Sequence, residues 1–241
     1  MTEFEKSNWA KPEFSKGYRD NADFFIVERM RMLAILQSFY VQFVKDGRHK
    51  TMLDLGCGDG IVTAAIADID PSIAPTLVDG SSDMLKKAGE RLSGLKNARF
   101  VCASFQDMLR EESVGGAYDF TASSLAIHHL TLGEKRSLFR YAYEHLKPGG
   151  CFVNLDVVLA LSDTLEQWYL ILWREWIQER KRTLGLEGDQ FEEVIEGYKD
   201  NKDNKPDTLE DQLEALRLTG YADVDCYYKY GIFTVFGGRK R

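Results

Sequence analysis

Leu53-Asp54-Leu55-Gly56-Cys57-Gly58-Asp59-Gly60 is the stretch whose reading decides the fold. Thr51 to Leu55 is a short apolar run, and Ile61 to Ala67 behind the glycines has helical character, so the segment reads strand, glycine turn, helix. Glycines are required where the backbone turns sharply and a ligand lies against it with no Cβ in the way. In an open α/β sheet that ligand lies beyond the carboxyl ends of the strands, at the switch point of strand order.

Spacing and charge narrow the ligand. A dinucleotide fingerprint is G-x-G-x-x-G, whereas here Gly60 arrives one residue early. Asp54 is the stronger objection to a diphosphate: a carboxylate about 4 Å from one pyrophosphate charge costs about 4 kcal/mol at an effective dielectric near 20. The same carboxylate favours a ligand that carries ammonium and sulfonium groups. Asp79 ends the second strand, where an acidic side chain accepts from both hydroxyls of a ribose. These residues select a nucleoside with a cationic appendage.

Outward from the turn the same unit repeats. Strands are predicted at Thr76–Val78, Arg99–Cys102, Asp119–Ser123 and Cys151–Val157, with helices at Ser82–Leu92, Phe105–Leu109 and Glu134–Leu146 between them. Alternation of this kind means right-handed crossovers and a doubly wound, mainly parallel sheet with both faces covered. Ahead of it, Phe24, Phe25, Val27, Met32, Ile35, Leu36, Phe39 and Phe43 recur at helical spacing, predicting one front helix from Ala22 to Val44 with Asn21 as its cap. After Val157 the rhythm breaks into three predicted helices, Thr164–Lys181, Phe191–Tyr198 and Thr208–Thr219. Two closing strands, Ala222–Tyr230 and Ile232–Gly238, then bring the sheet to seven with an antiparallel C-terminal hairpin. One domain results, with residues 1–48 as an N-terminal helical lid, 49–157 as the ligand-binding core, 158–220 as a helical insertion and 221–241 as the hairpin.

Four sequence blocks in this order resemble the class I S-adenosylmethionine-dependent methyltransferases: Asp54 to Gly60; Val78-Asp79 with Ser82-Asp83-Met84-Leu85; Tyr118-Asp119 leading to Ser123-Ser124-Leu125-Ala126-Ile127-His128-His129-Leu130; and Leu146-Lys147-Pro148-Gly149-Gly150. The resemblance covers roughly residues 50 to 157. It implies S-adenosylmethionine as cofactor and S-adenosylhomocysteine as product. Gly56, Cys57, Gly58 and Gly60 would pass under the methionine part, Asp54 would lie near its ammonium, and Asp79 with Gly80 would hold the ribose. Met84 would lie on the adenine face. Ser104 stands where the family often has an acidic residue that accepts from the adenine amino group, with Phe105 as a second contact. Ser123 would border the methionine chain, and Tyr18 and Arg29 resemble lid residues that reach the cofactor.

His128 is the candidate to face substrate and act in chemistry, its alternative being a structural role shared with His129. Adjacent histidines do not converge on one ion, and His49 and His145 are the only others, so no metal site is expected. Tyr169, Leu172, Trp173 and Trp176 share one helix face. They either pack the insertion onto the body or roof a substrate pocket through Tyr169 and Trp173. Methyl transfer works largely by alignment, which contributes about 7–11 kcal/mol, so a dedicated base is optional.

Some acceptors are excluded. The Asn/Asp-Pro-Pro-Tyr motif of adenine and glutamine amide methylation is replaced by Ser123-Ser124-Leu125-Ala126, and no proline precedes a cysteine as cytosine C5 chemistry needs. A small-molecule O, N or S acceptor is expected. The segment after Val157 also resembles carboxy-S-adenosylmethionine synthases of wobble-uridine modification, but the arginine they carry on the last helix is Ala215 here, with Arg217 two residues on. A non-catalytic cofactor-binding module is the third reading.

Of 241 residues, 44% are hydrophobic and 29% charged, too apolar for a disordered tail and too polar for a membrane-embedded chain. Thirty-one basic against thirty-eight acidic residues leave a charge of −7, which argues against nucleic acid as a partner. No signal peptide and no apolar run of about 18 residues is present, so the expected address is the cytoplasm, without membrane. Cys57, Cys102, Cys151 and Cys226 are scattered, as reduced thiols used as small apolar residues would be. A homodimer is compatible with the composition.

Overall fold

The computed structural model describes residues 3–111, 114–185, 195, 198 and 201–241, with the side chains of residues 3, 18–21, 23 and 24 outside that set. Strands β1 (Thr51–Leu55), β2 (Ala74–Asp79), β3 (Arg99–Cys102), β4 (Tyr118–Ser124), β5 (Leu146–Val157), β6 (Ala222–Tyr230) and β7 (Phe233–Arg239) form one sheet in the order β3-β2-β1-β4-β5-β7-β6. The first five run parallel; β7 pairs antiparallel with both β5 and β6. The predicted seven-stranded sheet with its antiparallel hairpin is the sheet found. Strand order reverses direction between β1 and β4, so the crevice at their carboxyl ends is where ligands bind in such sheets.

Strand residues alternate between two apolar layers. Met52, Phe120, Ala122, Val153 and Leu155 pack with α3 (Arg29–Phe43), α4 (Ile61–Ile69) and α8 (Asp163–Leu184). Leu53, Leu55 and Phe152 face the other way, onto α6 (Phe105–Glu111), α7 (Leu132–His145) and α9 (Leu209–Thr219). With both faces covered, the central strands read as near-continuous apolar runs. No helix among the described residues is long and apolar enough to cross a membrane.

The single front helix predicted from Ala22 to Val44 is two helices. A short α1 (Glu3–Lys6) is followed by α2 (Pro12–Phe25), which opens on a proline suited to the first helical turn. The break before α3 is Ile26-Val27-Glu28, where Glu28 adopts φ 51°. Ile26 and Val27 are buried in the core, and holding both there requires the chain to turn, which the left-handed Glu28 achieves. Asn21 therefore lies inside α2 rather than at a cap.

Between β5 and β6 the chain leaves and re-enters at one point, where Leu159 pairs with Thr208 and its N–H donates to Asp207 O (3.0 Å). Trp173 of α8 is core: its ring is 5% exposed and its Nε1 donates to Phe25 O at 2.8 Å, fixing α8 to the end of α2. The predicted helix Phe191–Tyr198 lies outside the described residues except Ile195 and Tyr198. Ile195 is buried, and the ring of Tyr198 lies edge-on to Trp173. The segment before α9 is pinned to α7 by Lys135, which is fully buried, pairs with Asp207 and donates to Lys205 O (2.6 Å). Elsewhere, helix bounds differ from the sequence reading by a residue or a few at the ends.

Candidate active site

Gly56, Gly58 and Gly60 all take positive φ (63°, 52° and 79°), so the turn after β1 demands glycine for its backbone alone. A Cβ on Gly56 would sit 2.4 Å from Ala126 Cβ, whereas one on Gly58 would meet nothing within 4 Å: the chain is packed at one glycine and open at the next. Gly60 closes the turn through its N–H to Cys57 O (2.9 Å) and starts α4. Arg91 clamps the turn from outside, donating to Asp59 O (2.9 Å) and pairing with the Asp59 carboxylate.

Asp79 stands at the tip of β2. Its Oδ2 accepts from Gly58 N and its Oδ1 from Ser81 N, both at 2.8 Å. Enclosure by the cleft walls raises its pKa against the lowering effect of those two donors. Each oxygen keeps a second lone pair for a ligand hydroxyl. Asp54 is fully buried; Oδ2 accepts from Thr63 Oγ1 (2.6 Å) and Oδ1 has no partner among the described residues. Desolvation pushes its pKa up to about 7.

A cavity of about 330 Å³ opens over these residues. Gly56, Gly58, Asp79, Gly80 and Met84 form its floor; Ser104 and Phe105 one wall; and Ser124, Leu125, Ala126 and His129 the other. Phe4, Lys6, Ser7 and Trp9 together with Lys202, Asp203 and Lys205 form the roof. Phe4 lies so close over Gly80 that a Cβ there would be 2.5 Å from its ring. The two roof segments are joined where Asp203 Oδ2 accepts from Asn8 N (2.9 Å). A smaller adjoining cleft is bordered by Ala22, Arg29, Cys57, Asp59 and Ile61.

The sequence-predicted residues fare differently. Gly56, Gly58, Asp79, Gly80, Met84, Ser104 and Phe105 share the main cavity, while Cys57 and Arg29 border the smaller cleft. Ser104 caps α6, donating to Asp107 Oδ2 (2.6 Å) and accepting from Asp107 N (3.1 Å), so its hydroxyl is largely committed. Ser123 is buried with its hydroxyl donated to Leu55 O (2.7 Å), and it is Ser124 that borders both clefts. The side chain of Tyr18 lies outside the described residues.

Tyr169 and Trp173 border neither cleft: Trp173 is in the core, and Tyr169 packs against Gly231 with Lys229 4.1 Å above its ring. His128 also borders neither; its Nδ1 meets Asp156 Oδ1 at 2.6 Å, and its N–H donates to Asp156 Oδ2 at 3.0 Å. Its neighbour His129 is the histidine on the cavity wall. Unforeseen were the roof residues and Asp156. Phe4 and Trp9, two aromatics in a polar leading segment, were the available signal for the roof.

Residues 52–150 match the family model described as a methyltransferase domain. The chain contains a class I S-adenosylmethionine-dependent methyltransferase domain. Among relatives of this chain, the carboxy-S-adenosyl-L-methionine synthase of Helicobacter pylori (strain G27) is 24% identical over 215 residues, which cover 87% of this chain and 84% of that protein. The trans-aconitate 2-methyltransferase of Deinococcus radiodurans is 34% identical over 99 residues, 41% of this chain and 34% of that one. An O-methyltransferase family protein from Burkholderia thailandensis superposes with a TM-score of 0.63 at 16% identity, covering 98% of this chain. The chain spans 62% of that structure's length.

The site fits the cofactor of this family. Gly58 leaves open space over the turn, and Asp79 offers two acceptors side by side at the cavity; Asp54, buried beneath the turn with one oxygen unpartnered among the described residues, and Gly60 border neither cleft.

Proposed function

We propose that the protein transfers a methyl group to a small-molecule acceptor bound inside the roofed cavity. The observation that carries this is the enclosure itself: about 330 Å³ with the glycine turn and Asp79 at one side, His129 at the other, and aromatic side chains overhead. A concave cavity of this size suits a metabolite-sized ligand.

When bound, S-adenosylmethionine supplies a methyl group on a positively charged sulfur. The chain's own residues hold and align. Asp79 would receive the ribose hydroxyls, Met84 and Phe105 would flank the base, and the buried Asp54 would favour the ammonium from beneath the turn. Phe4 and Trp9 exclude water, so an acceptor held against the Ser124–Ala126 wall is oriented rather than activated by a strong base. Titration calorimetry with S-adenosylmethionine and S-adenosylhomocysteine, followed by transfer of tritiated methyl into a low-molecular-mass metabolite extract, tests this reading. Binding with label in the small-molecule fraction supports it. Binding with no transfer leaves a cofactor-binding module, and label only in added RNA refutes the small-molecule acceptor.

The long match to carboxy-S-adenosyl-L-methionine synthase favours a second reading, in which the bound cofactor carries an extra carboxyl group. Ala215, buried in α9, and Arg217, half-exposed beside Glu214 (3.8 Å), do not border the cavity; among the described residues the cations that do are Lys6, Lys202 and Lys205. The mass of the ligand released from purified protein separates the two readings.

A further inference from the structure

Both stretches that roof the main cavity bring lysine to it: Lys6 from residues 4–9, Lys202 and Lys205 from residues 202–205. Among the described residues, the acids on the same space are Asp203 and, on the floor, Asp79. Three lysines against two aspartates reverse the balance of a chain with 31 basic and 38 acidic residues. Both acids are already partly answered, Asp203 by Asn8 N (2.9 Å) and Asp79 by Gly58 N and Ser81 N (2.8 Å each). Lys6 and Lys202 have no side-chain partner among the described residues. The His129 ring adds no charge, because burial first, then His128 and the nearby Lys135 and Lys205, hold its pKa well below its ordinary value. The lysines gather over one side of the cavity. Lys205 N donates to His128 O (2.8 Å), Asp203 O lies 3.1 Å from His129 Nδ1, and Trp9 meets the His129 ring edge-on at 5.4 Å.

Resting on the reading that the cavity holds a methyl acceptor, we propose that this acceptor is an acid, a small compound whose carboxylate or phosphate is received by Lys6 and Lys202 with Lys205 beside them. An ammonium on a flexible four-carbon stem is a point charge that follows an anion of either shape, where an arginine would impose a planar fork. A concave site with an excess of one sign concentrates ligands of the other sign. That excess counts for more here, because the chain as a whole carries −7 and repels anions elsewhere on its surface. Lys6 and Lys202 are exposed at the roof, so they act on entry and retention of the acceptor rather than on the bonds that change. The cofactor adds to the preference, since its sulfonium places one more positive charge in the site. A protonated amine is repelled from floor and roof alike, whereas an acid is drawn by both. Arg29 borders the smaller cleft and stands apart from this set.

The test divides a metabolite extract on a strong anion exchanger at neutral pH and offers the retained and flow-through fractions separately, with tritiated S-adenosylmethionine. The expected result is label transfer at least about tenfold greater from the retained fraction. Phosphatase treatment before the column sends a phosphate acceptor into the flow-through and leaves a carboxylate acceptor retained, which tells the two acids apart. Without that treatment, a smaller ratio, or transfer from the flow-through alone, overturns the proposal and leaves methyl transfer standing. No transfer from either fraction refutes the acceptor reading and this proposal with it. In a dilution series of the retained fraction, the double variant Lys6→Gln with Lys202→Gln should show an apparent KM raised about tenfold and a kcat within about twofold of wild type. The matching pair Lys6→Arg with Lys202→Arg, which keeps both charges, should return KM to within about threefold. Raising sodium chloride from about 50 to about 300 mM should raise the wild-type KM several-fold and that of the glutamine variant little. A wild-type KM indifferent to salt, or a glutamine variant with unchanged KM, overturns the proposal. Calorimetry should find S-adenosylhomocysteine affinity within about threefold of wild type in both variants. A parallel tenfold loss assigns the lysines to the cofactor instead and overturns it.

Discussion

At the scale of single residues, the two acids divide the work by their surroundings. Asp79 is solvated by two main-chain donors at the rim, while Asp54 has one hydroxyl partner and one bare oxygen in the interior. The Asp54 pKa of about 7 lies above its ordinary 3.8, so the folded protein holds a proton there that the unfolded chain releases between those values. A cation beside Asp54 draws that pKa down again, so binding below pH 7 expels a proton. Cofactor affinity should rise about tenfold from pH 5.5 to 7.5, with calorimetric heats that depend on the buffer's ionisation enthalpy. A flat profile would mean Asp54 does not meet the ammonium. Asp79→Ala removes charge-assisted acceptors worth about 1.5–3 kcal/mol, so affinity for S-adenosylhomocysteine should fall about 10- to 150-fold. Gly56→Ala faces both φ 63° and a 2.4 Å approach to Ala126, and should lower the melting temperature and cofactor affinity together; an unchanged melting curve would contradict the packing described.

At the scale of elements, what the sequence revealed depended on whether the signal was local. The strand-turn-helix around Gly56 and the helix opening at Ser82 are written in neighbouring residues, and they formed as read. The front helix was misread because apolar spacing runs on through Ile26 and Val27. Nothing in Glu28 itself announces a left-handed residue, and core packing imposes the break. His128 and His129 are adjacent, and which one meets the cavity depends on the pitch of a three-residue turn, beyond the reach of periodicity. The aromatic face of α8 was legible as a face, and its target was not: Trp173 fills the core. Trp173→Ala should therefore cost about 3–5 kcal/mol of stability in chemical denaturation while changing cofactor affinity less than threefold, and a specific loss of affinity would instead make it a pocket residue.

At the scale of the molecule, floor and roof come from separate parts of the chain. The floor uses residues 56–84, whereas the roof joins residues 4–9 to residues 202–205 through Asn8 and Asp203. Residues 4–10 belong to none of the apolar clusters, so removing residues 1–10 should shift the melting temperature little. The same deletion should shorten the residence time of bound S-adenosylhomocysteine about tenfold in stopped-flow displacement, and an unchanged residence time would show that the segment does not cover the ligand.

The hydrogen bond between Asn8 and Asp203 also bears on synthesis. A chain still on the ribosome has its glycine turn and both acids long before residues 202–205 emerge, so it owns a ligand floor with nothing to close over it. Stabilisation by bound metabolite comes only once residues 202–205 have emerged. A product stalled or clipped ahead of residue 202 would consequently be unable to retain the ligand that protects the finished protein.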